Sequence, residues 1–289
     1  MPFDRITLIY NPNSTGDAPK LAQELYEDIK KRLPDTPAEL KETQRAGHAE
    51  ELAKAAAASD AYPLIISVSG DGGYHEVVNG IIGSGNSKAV GAVKGAGNAN
   101  DHRTATREQT LIEAIISEDV RHFDLLKVEI SNKPARYAHS YVGLGISPVV
   151  AVELNRHTLN AIKEIQLVIK TFRAYRPFKI EVDGQVKTLD SLVFGNIPRM
   201  AKVLKLSEDT TPDDGRFELV IAKHTSKLML LLTAIRLVTL GAPKPKKLKN
   251  YSFKTLKPMP MQMDGEVFEL KPNTSITISS AKQALNTLV

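Results

Sequence analysis

The 289-residue chain contains no cysteine and no tryptophan. Without cysteine there is no disulfide framework, no thiolate metal site and no cysteine nucleophile. That absence fits a reducing, cytoplasmic compartment. Long apolar runs are missing too. The longest, Leu228 to Leu240, is interrupted by Thr233, Arg236 and Thr239, and a bilayer-spanning helix needs about 20 apolar residues. The start, MPFDRITLIYNPNS, lacks a charged region followed by a long apolar core, so a secretory signal is not expected. Aromatic residues make up only 6% of the chain. They form no basic, aromatic-rich platform, which argues against specific nucleic-acid binding.

What is present describes a globular chain. Hydrophobic residues reach 42% and charged residues 25%, and the length suffices for two domains with separate cores. The charge is unevenly spread. Residues 1–122 hold 13 Lys+Arg against 18 Asp+Glu, while residues 123–289 hold 25 against 15. A basic second half suits an anionic surface such as a phospholipid bilayer.

Hydrophobic periodicity divides the chain the same way. Strand-like runs at Ile6–Tyr10, Ala38–Thr43, 64–68 and Ala89–Val93 alternate with helix-like runs at Pro19–Leu33, His48–Ala58, 74–82 and Thr104–Ser117. Such alternation predicts an α/β domain on a mainly parallel sheet over residues 1–122. Beyond it, strand-like runs dominate: 123–130, 136–142, 177–183, 189–195, 216–222, 250–256 and 274–279. Helical segments interrupt them near 150–174 and 226–240. This predicts a second, antiparallel β-rich, sandwich-like domain over 123–289, its last few residues packing back on the first. An exposed edge strand there could pair with a second copy to give a homodimer.

The richest segment is Ser69-Gly70-Asp71-Gly72-Gly73-Tyr74-His75-Glu76-Val77-Val78-Asn79-Gly80, which follows a strand and leads into a helix. Glycines let the backbone approach an anion, and N–H groups at a helix start point at it. A carboxylate among phosphates repels them unless it holds a metal or takes a proton. Asp71 therefore points to phosphoryl transfer. Three further polar clusters follow strands: Asn11-Pro12-Asn13-Ser14-Thr15-Gly16, Thr43 shortly before Gly47-His48, and Gly95-Ala96-Gly97-Asn98-Ala99-Asn100-Asp101. In parallel sheets such strand ends are where ligands bind. Downstream lie an acidic turn, Thr211-Pro212-Asp213-Asp214-Gly215, suited to a hard divalent cation, and Met263-Asp264-Gly265-Glu266, a common hairpin turn.

In this order the motifs resemble the diacylglycerol kinase catalytic-domain family, which includes sphingosine kinases and bacterial lipid kinases. The resemblance runs from residue 11 to 266. It implies a nucleotide-binding α/β domain followed by a β-rich domain, with the active cleft between them. It implies ATP and Mg²⁺ as cofactors. Asn11, Ser14, Thr43, Ser69, Gly70, Gly72, Gly73, His75, Glu76, Gly95, Ala96, Gly97 and Asn98 would line the ATP site. Asp71 and Glu266 would act on the acceptor hydroxyl or organise the metal. Asp214 would hold a structural magnesium with the carbonyls of Thr211 and Arg216. The implied reaction moves the γ-phosphoryl group of ATP to a lipid hydroxyl, diacylglycerol- or sphingoid-like. The lipid would be met at an anionic membrane surface by peripheral association. Three departures stand out: Ser69 and Gly73 replace the family's usual Gly and Thr, and Lys94 stands where proline is usual. They leave room for a soluble acceptor such as NAD, or for a lipid- or nucleotide-binding protein without catalysis.

Overall fold

The structure, a computed structural model, describes residues 3–14, 16–97, 99–146, 175–200, 204–207, 209–240 and 245–289. The helix expected near 150–174 lies outside these residues, as do Asn98 and Lys244. The chain divides into two compact units. Residues 1–125 with 281–289 form the first and residues 126–280 the second.

In the first unit, strands β1 (Arg5–Tyr10), β2 (Ala38–Glu42), β3 (Pro63–Ser69) and β4 (Val90–Gly95) alternate with helices α1 (Ala18–Arg32), α2 (His48–Ser59) and α3 (Asp71–Ser84). The sheet order is β2-β1-β3-β4, closed by the end of the last strand, β17 (Ser275–Leu288), and every pair is parallel. Parallel strands covered on both faces are apolar throughout, and β3 is buried along its whole length. Ile6, Leu8, Leu64, Ile66, Val90 and Ala92 share one core with Ala18, Ala22, Leu25 and Ile29 of α1. Gly80 sets the approach of α2 to α3. A Cβ there would lie 2.4 Å from the carbonyl oxygen of Glu50 and 2.7 Å from Cβ of Ala53.

Two local differences from the periodicity bear on the site. Helix α3 begins at Asp71, so Gly72 and Gly73 form its first turn and not a loop. The run expected as one helix over 104–117 is two: α4 (Asp101–Thr106) and α5 (Leu111–Ser117). The break has a cause on each side. Thr110 and Glu113 make a reciprocal capping box that starts α5. Arg107, at the end of α4, is buried and donates from Nη2 to the carbonyl of Val93 at 2.7 Å.

The second unit is antiparallel. It contains β6 (Arg136–Ala138), β7 (Tyr141–Gly145), β8 (Phe178–Val182), β9 (Gln185–Gly195), β12 (Phe217–Lys223), β13 (Lys246–Leu248), β14 (Asn250–Thr255), β15 (Met259–Met263) and β16 (Glu266–Leu270), with the two-residue strands β10 (Arg199–Met200) and β11 (Leu204–Lys205). Strand β9 pairs with β8 through residues 185–189 and with β7 through 191–195, while β12 runs along it on the other side. Leu126, Val142, Ile180, Leu192, Phe194, Phe217, Phe253, Met261 and Ile276 form its core. Both fold classes match the sequence expectation: a mainly parallel α/β part followed by an antiparallel β-rich part. The strand β5 (Val120–Ile130) contains the first boundary between the units, and β17 the second. The β15–β16 hairpin turns at Asp264-Gly265 as expected, but its two strands were not among the strand-like runs. Prolines 258 and 260 and the absence of β-branched residues in Met259–Met263 hide β15 from a strand pattern.

Candidate active site

The carboxyl ends of β1, β3 and β4 bring three of the sequence motifs together. After β1, the Asn11 side chain accepts from the N–H of Asn13 at 2.9 Å, closing a tight turn. Ser14 Oγ then donates to the carbonyl of Ala96 at 2.8 Å, and the N–H of Gly16 donates to the same oxygen at 3.0 Å. The N–H of Ala96 in turn donates to the carbonyl of Ser69 at 2.9 Å. Gly70 and Gly97 meet backbone to backbone, for a Cβ on Gly97 would lie 2.4 Å from Cα of Gly70. Asn100, at φ 54°, locks its own loop by accepting from the N–H of Gly97 and donating to its carbonyl, at 3.0 and 2.8 Å.

Asp71 stands at the centre of this arrangement. It occupies the first turn of α3, and its two carboxylate oxygens accept the N–H groups of Asp101 and His102 at 3.0 and 3.1 Å. A negative side chain at a helix start is favoured by the helix dipole, and here one carboxylate serves two helix starts.

Other expected residues have structural partners. Glu76 accepts from the N–H groups of Gly47 and Ala49 at 2.9 and 3.1 Å and so anchors the start of α2. Thr43 is tied to β1 through its N–H to the carbonyl of Tyr10 at 2.9 Å. His75 is buried, and its ring and carbonyl both face the Asn79 amide. Asn98 lies outside the described residues. The sequence reading overlooked Asn100 as a lock and the N–H groups of Asp101 and His102 as partners of Asp71. The only signal for either was an Asn-Asp pair before a helical run.

In the second unit, Asp264 and Gly265 form the two-residue turn of the β15–β16 hairpin, both at positive φ. Asp264 is fully buried and accepts from the N–H groups of His139, Ser140 and Tyr141 at 2.9, 2.9 and 3.1 Å. This fixes the hairpin from which Glu266 projects, exposed, at the start of β16.

The family model that matches residues 5–128 is the diacylglycerol kinase catalytic domain. The matched stretch is less than half of the chain. The match spans the strands and loops that converge on Asp71. A diacylglycerol kinase of Staphylococcus carnosus is 29% identical over 275 residues, covering 91% of this chain and 88% of that one. Another, of Staphylococcus saprophyticus, is 28% identical over 283 residues with the same coverage. The crystal structure of a diacylglycerol kinase from Bacillus anthracis superposes with a TM-score of 0.74 at 20% identity, over 100% of this chain and 97% of that one. That likeness extends the fold to the whole length.

Two of the chain's departures from the diacylglycerol kinase motifs acquire a common cause. A Cβ on Gly73 would lie 2.5 Å from Ser69 Oγ. The Ser69 hydroxyl, held by Ser67 Oγ at 2.6 Å, fills the space a residue-73 side chain would take. Serine at 69 thus requires glycine at 73, and the two changes count as one.

The magnesium expected at Asp214 does not fit the residues around it. Asp214 gives one oxygen to the N–H of Arg216 at 2.9 Å and the other to Lys247 Nζ at 2.8 Å. The same ammonium reaches the carbonyl of Asp209 at 3.0 Å and lies 3.7 Å from the buried carboxylate of Glu218. A cation already sits among these oxygens, and it is a lysine. Both carboxylate oxygens of Asp214 are thus engaged. Hydrogen bonding to Asp214 raises the Lys247 pKa, and burial raises that of Glu218. Lys247→Met leaves Glu218 buried without its counter-charge and raises its pKa further. A carboxyl raised in the fold favours folding below its unfolded value, near 4.5, and that advantage is lost as pH rises through the folded value. Since the Lys247 side chain is partly exposed, the expected loss of stability is about 1–2 kcal/mol at pH 8. It is smaller at pH 5. Urea unfolding at the two pH values measures it, and an equal loss at both would contradict the pairing.

Proposed function

We propose that the protein is an ATP-dependent lipid kinase that transfers the γ-phosphoryl group of ATP to a lipid hydroxyl, diacylglycerol- or sphingoid-like. The observation that carries this reading is the convergence of the 11–16, 69–73 and 95–101 segments on one carboxylate, Asp71, within a diacylglycerol kinase catalytic domain. The close Gly70–Gly97 contact leaves backbone exposed to a ligand, and the N–H groups of the first turn of α3 suit phosphate oxygens. Asn11, Ser14 and Thr43 border the same strand ends and suit the rest of the nucleotide.

In the transfer, the acceptor hydroxyl oxygen forms a bond to the γ-phosphorus. The bond from that phosphorus to the bridging oxygen breaks, and ADP leaves. Asp71 accepts the hydroxyl proton or orients the hydroxyl, a contribution worth roughly 10²–10⁴-fold in rate. Glu266, on its fixed hairpin, is the second acid of the reading. Mg²⁺, when bound with ATP, offsets phosphate charge.

Association with the membrane would be peripheral, on the cytoplasmic face. Among the described residues no helix is long and apolar enough to cross a membrane. The basic second half supplies attraction to an anionic leaflet, roughly 1 kcal/mol for each lysine or arginine near the surface. The deciding assay offers radiolabelled ATP with Mg²⁺ and a panel of acceptors: diacylglycerol, sphingoid bases, ceramide, monoacylglycerol, polyprenols and NAD. Label in one of the lipids is the expected result. Label in NAD alone, or ATP binding with no ADP release on any acceptor, would overturn the reading.

A further inference from the structure

The helix α6 (Lys227–Thr239) follows β12 and is capped by Ser226, whose side chain accepts from the N–H of Met229 at 3.3 Å. It presents large apolar side chains to solvent: Leu228 is 68% exposed, Met229 53% and Leu232 50%, and Leu240 just beyond the helix 79%. At about 100° per residue these four fall within an arc of roughly 120°, while Leu230, on the opposite side, is buried. Other exposed large apolar residues, such as Val186 and Ile116, are isolated and need no explanation. The four on α6 share one face and do.

Charge indicates what covers it. From Leu219 to Met263 the sequence holds nine lysines and arginines and no aspartate or glutamate. Arg236 lies on the apolar stripe itself. Lys223 and Lys227 flank the helix start, and Lys246 and Lys249 are exposed around β13. An apolar stripe within a stretch of sequence whose charged residues are all cations meets two demands at once in one kind of partner. An anionic bilayer surface takes the leucines at the acyl boundary and the cations at the headgroups. At 13 residues the helix is too short to span the membrane, and one apolar stripe suits a helix lying in the interface plane.

We infer that α6 is the element that inserts into an anionic membrane surface, with Leu228, Met229, Leu232 and Leu240 as the inserting residues. This rests on the lipid-kinase reading above and adds to it the part of the chain that touches the bilayer.

The absence of native tryptophan gives a direct test in the full chain. Leu232→Trp carries a single indole on the stripe, and Val186→Trp carries one on an exposed residue elsewhere. With vesicles of phosphatidylcholine and phosphatidylserine, emission of the first shifts to the blue and is quenched by brominated acyl chains. Emission of the second does neither. Phosphatidylcholine vesicles alone give little change. The double variant Leu228→Gln/Leu232→Gln partitions onto the anionic vesicles at least tenfold less, in line with two exposed leucines losing apolar transfer. Its circular dichroism, and its phosphoryl transfer to a short-chain lipid dissolved below its micelle concentration, stay unchanged. Unshifted emission of Leu232→Trp on vesicles that sediment with the protein would overturn the inference. So would a wild-type dimer that the double variant abolishes, without any emission shift, since the stripe would then face a second copy. Absence of transfer by the wild type to the dissolved lipid would count against the kinase reading and leave the insertion result standing.

Discussion

Asp71→Asn is expected to lower turnover by about 10²–10⁴-fold while ATP still binds. The carboxylate accepts two backbone N–H groups, from Asp101 and His102. An amide offers one oxygen and must turn its NH₂ toward the other donor. The variant therefore loses a proton acceptor and also loosens the start of α4. The structural part should appear as roughly 1–3 kcal/mol of lost stability, the range for a broken hydrogen bond to a charged group. Single-turnover kinetics with calorimetric ATP titration separates the two effects. A turnover near that of the wild type would remove Asp71 from the chemistry. Loss of ATP binding in step with turnover would make it an anchor alone.

Gly97→Ala is expected to abolish tight nucleotide binding and to cost about 1–3 kcal/mol of stability, the usual price of overpacking. The added Cβ would lie 2.4 Å from Cα and 3.0 Å from N of Gly70. Both atoms are backbone, so no side chain can swing aside, and the junctions after β3 and β4 must part. Gly83→Ala is the control. A Cβ there would meet only Cδ of Lys54, at 3.8 Å, and alanine inside a helix gains about 0.5–1 kcal/mol over glycine. Chemical denaturation and a fluorescent nucleotide titration on both variants supply the comparison. Unimpaired nucleotide affinity in Gly97→Ala would show that the junction does not form the nucleotide site.

Much of this was legible from residue order alone. Parallel strands revealed themselves through short, mostly apolar runs such as Leu64–Val68, and the motifs fall at their carboxyl ends because α/β connections leave those ends open. Legibility failed where a residue's role depends on a distant partner. Gly72 and Gly73 looked like loop because glycine disfavours helices, yet Ser69 makes glycine the residue that fits the first turn of α3. The strand expected at 274–279 runs to Leu288. A polar stretch around Gln283 hides its second half, and the N–H of Gln283 is satisfied by Asp124 at 2.7 Å, 159 residues away in sequence. Asp214 looked like a metal ligand because its turn is acidic. Its cation is supplied by Lys247, 33 residues downstream, in a stretch that reads as surface charge.

That lysine has a practical consequence for chelation experiments. A tethered ammonium cannot be chelated. Withdrawing divalent ions with EDTA is therefore expected to leave the Lys247 contacts with Asp214 and the Asp209 carbonyl in place.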